Sequence, residues 1–365
     1  MNSSRAIQEK FTGCLLGGAI GDALGAPIEF LSLDQIHEQF GYAGITDFYP
    51  AYGRLGAITD DTQMTMFTAE GLLRGLVRYR SRGISGAEIA IVHNAYLRWL
   101  ETQKSPFNLA RSIGNGWLIT IEALRSRRGP GISCISALTS VTSPGMPVSD
   151  DRKGCGTVMR VAPIGLLYDD DLAYRIGKET SALTHGHPTA SIAAGALCVI
   201  ISQLRKEVPL NQAVMSALDI VQQDEIKLGV VHETSEAIDK ALSLAKTTRT
   251  PSPELVESLG AGWIAEEALA VSIYCALVAE DFSQGVLLAV NHSGDSDSTG
   301  AITGNLLGLQ YGQKGIPEHW LEQVELHDEI RQLAIDLVDI PENYFPDGNE
   351  NQEYCDRIFK KYPGV

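Results

Sequence analysis

Two short acidic clusters near opposite ends of the chain constrain its fold more than any other feature. The first is Thr59-Asp60-Asp61-Thr62, and the second is Asn291-His292-Ser293-Gly294-Asp295-Ser296-Asp297-Ser298-Thr299-Gly300. Each precedes an apolar segment with helical spacing, and each is predicted to cap a helix start, where Asp and Ser side chains satisfy free backbone N–H groups. If the two clusters share one site, both ends of the chain must belong to one domain.

The two clusters offer the same kind of ligand, carboxylate and hydroxyl oxygen. Such oxygens suit Mg²⁺ or Mn²⁺, whereas zinc prefers His and Cys. The positive end of a helix dipole stabilises each aspartate by ~0.3–1 kcal/mol, but several converging carboxylates repel one another strongly without a cation. The residues therefore indicate an ion site. The alternative is two separate capping sites on the surface.

Helical periodicity runs through most of the sequence, and strand signals are few. In the first helix, residues 10–24, glycines 17 and 21 fall on one face with Gly25, a spacing that permits close approach of a neighbouring helix. The other predicted helices are 59–79, 86–103, 109–126, 171–183, 190–203, 210–223, 231–246, 263–279, 282–289, 299–311 and 321–338. The sequence therefore predicts an all-α protein.

The chain is predicted to form a single domain, residues 1–340, followed by a C-terminal tail, residues 341–365. No internal repeat or shift in composition divides it, and 365 residues with 44% hydrophobic content are enough for a sizeable core. Residues 129–152 are rich in Gly, Pro and Ser and are predicted to be an irregular loop. The tail is polar and is expected to be loosely packed.

Charge and cysteine content exclude several classes of protein. With 29 Lys+Arg against 45 Asp+Glu, the net charge of −16 argues against nucleic acid or an anionic membrane as the main partner. The six cysteines show no C-x-x-C spacing and are predicted to be free thiols. The apolar run that Asp22 closes has about seven residues, the low end of what a secretory signal needs, so a signal peptide is not expected, and no run is judged long enough to cross a membrane. We expect a cytoplasmic monomer.

Three further stretches place polar or glycine residues in loops. Gly154-Cys155-Gly156-Thr157-Val158-Met159-Arg160 lacks the third glycine and the preceding strand of a dinucleotide fingerprint, so it is either a phosphate cradle or a plain turn. His185 and His187 have no third soft ligand nearby and are predicted to form hydrogen bonds rather than to bind zinc. Glu29 follows a Gly-Ala-Pro break and would alone be an ordinary surface residue.

Taken together and in order, five motifs resemble the ADP-ribosylglycohydrolase family, which includes the dinitrogenase-reductase-activating glycohydrolases of bacteria. The motifs are Gly21-Asp22-Ala23-Leu24-Gly25 with Glu29, Thr59-Asp60-Asp61-Thr62, the glycine loop at 154–160, Thr184-His185 and Gly294-Asp295-Ser296-Asp297-Ser298. They cover residues 10–312. The resemblance implies an orthogonal all-α bundle, two Mg²⁺ or Mn²⁺ ions, and cleavage of the N- or O-glycosidic bond at the distal ribose of ADP-ribose.

The resemblance also implies roles for individual residues. The metal ligands carry over onto Thr59, Asp60, Asp61, Asp295, Asp297 and Ser298, the last of which is usually Thr in the family. The expected catalytic residues are Glu29, Asp60, Asp61 and Asp297. The ADP-ribose cleft is expected to be lined by Gly154, Cys155, Gly156, Thr157 and Val158, with His185 facing the ligand. Some members place aromatic residues before the glycine loop, but Asp151-Arg152-Lys153 stand here, so Trp263 is a candidate for stacking adenine, or else a core helix residue.

The expected chemistry also follows from the residue types. Two divalent ions about 3.5–4 Å apart bind the vicinal hydroxyls of a ribose and lower the pKa of a bound water. Carboxylates stabilise the positive charge that builds on the sugar, and Glu29 or an aspartate guides the proton. We therefore expect an ADP-ribosyl-acceptor hydrolase. Two alternatives remain: an ADP-ribose-binding or structural relative without turnover, and a two-metal phosphoesterase that acts on a nucleotide.

Overall fold

The computed structural model describes residues 2–104, 115–348 and 351–364, and no β-strand occurs among them. The α-helices of this part of the chain are α1 (Asn2–Gly25), α2 (Leu33–Phe40), α3 (Asp60–Arg82), α4 (Glu88–Thr102), α5 (Ile132–Thr139), α6 (Ala162–Leu167), α7 (Asp170–Ser181), α8 (Pro188–Arg205), α9 (Leu210–Leu228), α10 (Glu233–Thr247), α11 (Pro253–Glu257), α12 (Ala265–Val278), α13 (Phe282–Val290), α14 (Ser296–Tyr311), α15 (Glu318–Gln323), α16 (His327–Asn343) and α17 (Gln352–Lys361). The predicted all-α class is confirmed.

Helices α1 and α14 pack antiparallel with their backbones in contact. A Cβ atom on Gly21 would lie 1.9 Å from the carbonyl oxygen of Gly300, and a Cβ on Gly304 would lie 2.0 Å from that of Gly17. No side chain fits at these positions, which confirms the close approach predicted from the glycine spacing. The contact continues to Gly25, whose Cβ would lie 2.3 Å from the carbonyl oxygen of Ser296. The start of α14, which lies within the second acidic cluster, is therefore beside the end of α1.

The start of α3 is attached to the same end of α1 by Asp22. This fully buried carboxylate accepts hydrogen bonds from the backbone N–H groups of Thr59 (2.9 Å) and Thr62 (3.1 Å), and from the Thr62 hydroxyl. Thr59 in turn caps α3, because its hydroxyl accepts from the N–H of Asp61 at 3.2 Å. Since α3 and α14 both begin at this end of α1, the two acidic clusters meet there.

Two local predictions differ from the structure. Helix α5 lies within the segment predicted to be an irregular loop, because Cys134, Ala137 and Leu138 bury one of its faces. Of the predicted helix 109–126, residues 109–114 lie outside the described residues. The rest forms two short 3₁₀ turns, Leu118–Thr120 and Glu122–Leu124, so the prediction is wrong there. The N–H of Leu118 donates to the Glu70 carboxylate (3.1 Å), a contact between distant segments that no helix pattern encodes.

The described part of the C-terminal tail is packed against the rest of the protein. Helix α17 buries Cys355 and Ile358, and the Tyr362 hydroxyl donates to the Asp336 carboxylate of α16. Lys361 lies 2.6 Å from the same carboxylate. The expectation of loose packing is wrong for these residues, because the sequence does not show that their few apolar side chains share one buried face. A domain boundary at residue 340 stays a prediction.

Helix α8 is the one described helix that is long and apolar enough to cross a membrane. It has 18 residues with a mean hydropathy of 1.3, so the expectation that no run reaches this length is wrong. Within the protein, however, 78% of this stretch is buried, and the helix packs against α7 and α9. Its composition is therefore accounted for by a position in the core.

Candidate active site

The two acidic clusters face each other in one buried site. The Ser298 hydroxyl, from the second cluster, donates to Asp61 of the first at 2.8 Å. Glu29, Asp295 and Asp297 each place a carboxylate oxygen within 4.8 Å of the others. The four aspartates of the clusters are buried, so the alternative of two separate surface caps is wrong. These contacts bring together residues from three distant parts of the chain.

Burial raises the pKa of every carboxylate in this group, and the charge of Asp297 is the next cause for each of its neighbours. The pKa of Asp22 rises to about 7 and that of Glu29 to about 10. The pKa values of Asp60, Asp61 and Asp295 also lie well above the usual range for aspartate. Concentrated negative charge with oxygen donors is the environment that a hard divalent cation stabilises, so the donor set fits Mg²⁺ or Mn²⁺.

The outer carboxylates of the group are Asp60, which a loop contacts, and Glu29, which lies in a turn. Asp60 accepts from the N–H of Gly131 (3.3 Å) and donates its own N–H to the carbonyl of Arg128 (2.9 Å). Glu29 lies in the turn that follows α1 and is half-buried beside the aspartates. It is therefore not an ordinary solvated surface glutamate. A catalytic role for it stays a prediction.

The glycine loop lies against His185 and reaches the carboxylates. A Cβ on Gly154 would lie 3.1 Å from His185 Nε2, and a Cβ on Gly156 would lie 3.6 Å from His185 Cε1. The thiol of Cys155 donates to Asp295 Oδ2 at 2.7 Å. Thr157 and Val158 are fully buried, backbone included. Their expected place in the lining of the ADP-ribose cleft stays a prediction.

His185 is held as a neutral imidazole. Its Nδ1 lies 2.9 Å from the Thr184 hydroxyl, which accepts a hydrogen bond from Arg160 at 2.7 Å. Burial, followed by the charges of Arg160 and Arg152, lowers the pKa of His185 to about 3. If the Thr184 hydroxyl donates to Nδ1, the Nε2 atom beside Gly154 carries the proton and is a hydrogen-bond donor. His187 accepts from the N–H of Thr189 (3.2 Å) and caps α8, as the hydrogen-bonding interpretation predicts.

Trp263 stacks on Phe30 at the edge of the site. Their ring centroids are 5.5 Å apart and their planes differ by 17°. Both rings are open to solvent, with 40% of Trp263 and 75% of Phe30 exposed. Trp263 precedes α12 rather than belonging to it, so the alternative of a core helix residue is wrong. The pair provides a flat apolar surface next to Glu29, which adjoins Phe30 in sequence.

Comparison with known proteins identifies the family. Residues 3–345 match the family model described as ADP-ribosylglycohydrolase. The chain belongs to this family. An ADP-ribosylglycohydrolase is a hydrolase of ADP-ribose linkages, so the expected enzyme class is confirmed.

Individual relatives extend over most of the chain. The ADP-ribosylarginine hydrolase Tri1 of Pseudomonas putida (strain GB-1) is 27% identical over 91% of this chain and 78% of its own. The ADP-ribosyl-(dinitrogen reductase) glycohydrolase of Rhodospirillum rubrum is 24% identical over 89% of this chain and 93% of its own. A solved ADP-ribosylglycohydrolase-related protein complex superposes with a TM-score of 0.65 at 23% identity, covering 92% of this chain and 98% of that one, which shows the same fold.

Several residues of this ADP-ribosylglycohydrolase site were not assigned a role from the sequence. Asp22 joins α1 to α3, and its signal was a charged residue inside an apolar helix. Phe30 and Thr184 contact predicted site residues, Trp263 and His185, without being predicted themselves. Thr184 stands in one of the five motifs, but its role, like that of Phe30, depends on contacts made only after folding.

Proposed function

We propose that the protein hydrolyses the glycosidic bond between ADP-ribose and an acceptor and releases ADP-ribose. The observation that carries this proposal is the convergence of carboxylates from both ends of the chain in one buried place. We assign two Mg²⁺ or Mn²⁺ ions to the oxygen donors of Thr59, Asp60, Asp61, Asp295, Asp297 and Ser298. When bound, the ions supply a water of lowered pKa and contacts to the ribose hydroxyls.

The carboxylates have a second task in this reaction. Cleavage of the glycosidic bond builds positive charge on the ribose, and the aspartates that face the sugar stabilise that charge. Glu29 lies within 4.8 Å of Asp295 and Asp297 at the edge of the group. That position suits a group that takes the proton of the attacking water or gives one to the leaving atom.

The surroundings of the carboxylates supply contacts for the rest of ADP-ribose. In the tautomer that carries its proton on Nε2, His185 suits the diphosphate together with the backbone N–H groups of Gly154 and Gly156, because all of them donate hydrogen bonds to its oxygens. The solvent-exposed pair of Phe30 and Trp263 suits adenine, since a flat base stacks on an aromatic face. Both assignments are supported by links to the carboxylates: the Cys155 thiol, between the two glycines, donates to Asp295 at 2.7 Å, and Phe30 follows Glu29 directly in the sequence.

The proposal also covers the acceptor, the oligomeric state and the cellular location of the enzyme. The name of the Pseudomonas putida relative makes ADP-ribosylarginine the first substrate to test. The net charge of −16 and the scattered cysteines support a monomer that works in the cytoplasm without nucleic acid or membrane as a partner. Light scattering of the purified protein measures the oligomeric state.

A hydrolysis panel tests the proposed function. Substrates in which ADP-ribose is linked to arginine, to serine, to an acetyl ester and to a nucleobase are incubated with the protein and Mg²⁺ or Mn²⁺. We expect free ADP-ribose from at least one of them, and none after EDTA. Formation of AMP would identify a phosphoesterase instead. Binding of ADP-ribose in calorimetry without release from any substrate would identify a relative that binds but does not turn over.

A further inference from the structure

Tyr52 has a backbone conformation that tyrosine rarely adopts. Its φ is +50°, and it lies beside Gly53 (φ +83°) in a turn closed by two hydrogen bonds between Ala51 and Arg54, of 3.0 and 3.1 Å. Turns with two positive φ values normally take Asn, Asp or Gly. Strained residues of other types concentrate at functional sites. The position therefore directs attention to what the tyrosine side chain does.

The ring of Tyr52 is held by a buried ion pair. The guanidinium of Arg128 lies 5.1 Å from the ring centroid, within the range of a cation–π contact. Arg128 is paired with Glu325 at 3.2 Å, and Glu325 also accepts from the N–H of Ile58 at 3.2 Å. Because Glu325 and Arg128 are buried, they hold one face of the half-exposed Tyr52 ring in place.

Three side-chain oxygen atoms lie close around Gly129. A Cβ at this position would lie 2.9 Å from the Tyr52 hydroxyl, 3.9 Å from Asp60 Oδ1 and 3.9 Å from Glu29 Oε2. In the described part of the chain, the Tyr52 hydroxyl forms no hydrogen bond of its own. Burial and the neighbouring carboxylates, Glu29 first, raise the pKa of Tyr52, so the hydroxyl keeps its proton. A free O–H donor thus lies beside two carboxylates at Gly129.

We propose that the acceptor binds on the side of the carboxylates where Tyr52 lies, and that Tyr52 is a catalytic residue whose hydroxyl hydrogen-bonds the leaving atom. The inference rests on the proposed function, because it assigns a role within that reaction. The bond between the anomeric carbon and the acceptor N or O breaks, and its electron pair goes to the acceptor. Water forms the new C–O bond, and the proton that it loses ends on the acceptor. The Tyr52 hydrogen bond stabilises the negative charge that develops on the leaving atom.

The test compares Tyr52→Phe with Tyr49→Phe, a matched control in the same loop. Both tyrosines are 46% exposed, but Tyr49 packs edge-on against Phe40. Two substrates are used: the best-linked one from the panel, and ADP-ribose carrying a nitrophenol, a leaving group that needs no donor. For Tyr52→Phe we expect kcat to fall ~10–100-fold on the first substrate and by less than ~3-fold on the second. Tyr49→Phe should match the unmodified protein on both.

The outcomes separate the inference from the function on which it rests. Equal losses of kcat on both substrates, or no loss on either, would overturn the role of Tyr52. The proposed function would still stand in that case, provided that the unmodified protein releases ADP-ribose. No release by the unmodified protein from either substrate would overturn both.

A second pair of variants tests where the acceptor binds. Gly129→Ala places a methyl group 2.9 Å from the Tyr52 hydroxyl, and Gly229→Ala is the control, since these glycines have φ values of +66° and +65° but Gly229 has open space around it. We expect Gly129→Ala to raise KM for the linked substrate by ~10-fold or more, with inhibition by free ADP-ribose unchanged. Gly229→Ala should leave both constants unchanged. A Gly129→Ala enzyme with normal KM, or with weakened ADP-ribose inhibition, would overturn the placement of the acceptor.

Discussion

Substituting Gly21 with alanine tests whether the contact between α1 and α14 assembles the site. A Cβ at this position would lie 1.9 Å from the carbonyl oxygen of Gly300, whereas real Cβ atoms do not approach within 3.0 Å of such atoms. Because the nearest atoms belong to the backbone of Gly300 and Ala301, a change of side-chain rotamer cannot relieve the clash. The difference between 3.0 and 1.9 Å means that the two helices must move apart by about 1 Å.

The free-energy change combines two opposing effects. Replacing glycine with alanine inside a helix stabilises it by about 0.5–1 kcal/mol. Overpacking a close contact costs about 1–3 kcal/mol and sometimes more. We therefore expect Gly21→Ala to lower the free energy of unfolding by about 1–2 kcal/mol. Gly75→Ala in α3 is the control, because the nearest atom would lie 3.9 Å from its Cβ and only the favourable effect remains.

Urea unfolding followed by circular dichroism measures both changes. Gly21→Ala should unfold at lower urea than the unmodified protein, and Gly75→Ala at the same or higher urea. Calorimetry should also show weaker Mn²⁺ binding by Gly21→Ala, because the end of α1 contacts the start of α14 beside Asp297. An unchanged urea midpoint and an unchanged Mn²⁺ affinity for Gly21→Ala would refute the reasoning.

Three further predictions concern the carboxylates. Asp60→Asn and Asp297→Asn each remove a ligand charge, so ADP-ribose release should cease and calorimetry should show weakened Mg²⁺ and Mn²⁺ binding; full affinity in both variants would contradict the metal assignment. Without metal, in EDTA, the pKa of Asp22 is about 7, above its ordinary 3.8, so the native state binds an extra proton and the free energy of unfolding should fall as pH rises from about 4 towards 7; a urea midpoint that is flat over this range would be inconsistent with this expectation. Adding Mg²⁺ at a hundredfold excess over Kd should raise the free energy of unfolding by about 2.7 kcal/mol. Glu29→Gln should lower kcat by ~10²–10⁴ with less loss of metal affinity than Asp60→Asn, and a near-normal kcat would remove Glu29 from the mechanism.

The helical fold follows from patterns that are local in the sequence. Apolar residues at helical spacing predict most of the helices, and the glycines of α1 predict a close neighbour without naming it. The errors occur where contacts between distant segments decide the structure. Leu118 donates to Glu70 instead of continuing a helix, and Tyr362 is drawn onto α16 by Asp336. No local pattern encodes either contact.

The acidic part of the site was predictable for a different reason. Two aspartate clusters with hydroxyl neighbours are rare enough to stand out, and their chemistry points to cations. Ser298 then joins the clusters through Asp61, a contact consistent with that prediction. Tyr52 and Gly129 give no such signal. A tyrosine and a glycine in loops are common, and only the folded chain shows that the Tyr52 hydroxyl, Asp60 and Glu29 all lie close to Gly129.

Anomalous diffraction from crystals grown with Mn²⁺ and ADP-ribose would locate the metal ions. We expect two Mn²⁺ peaks in one site, bounded by Asp60 and Asp61 on one side and by Asp295 and Asp297 on the other, with the distal ribose against them. A single peak, or peaks outside these four carboxylates, would contradict a binuclear centre assembled from both ends of the chain.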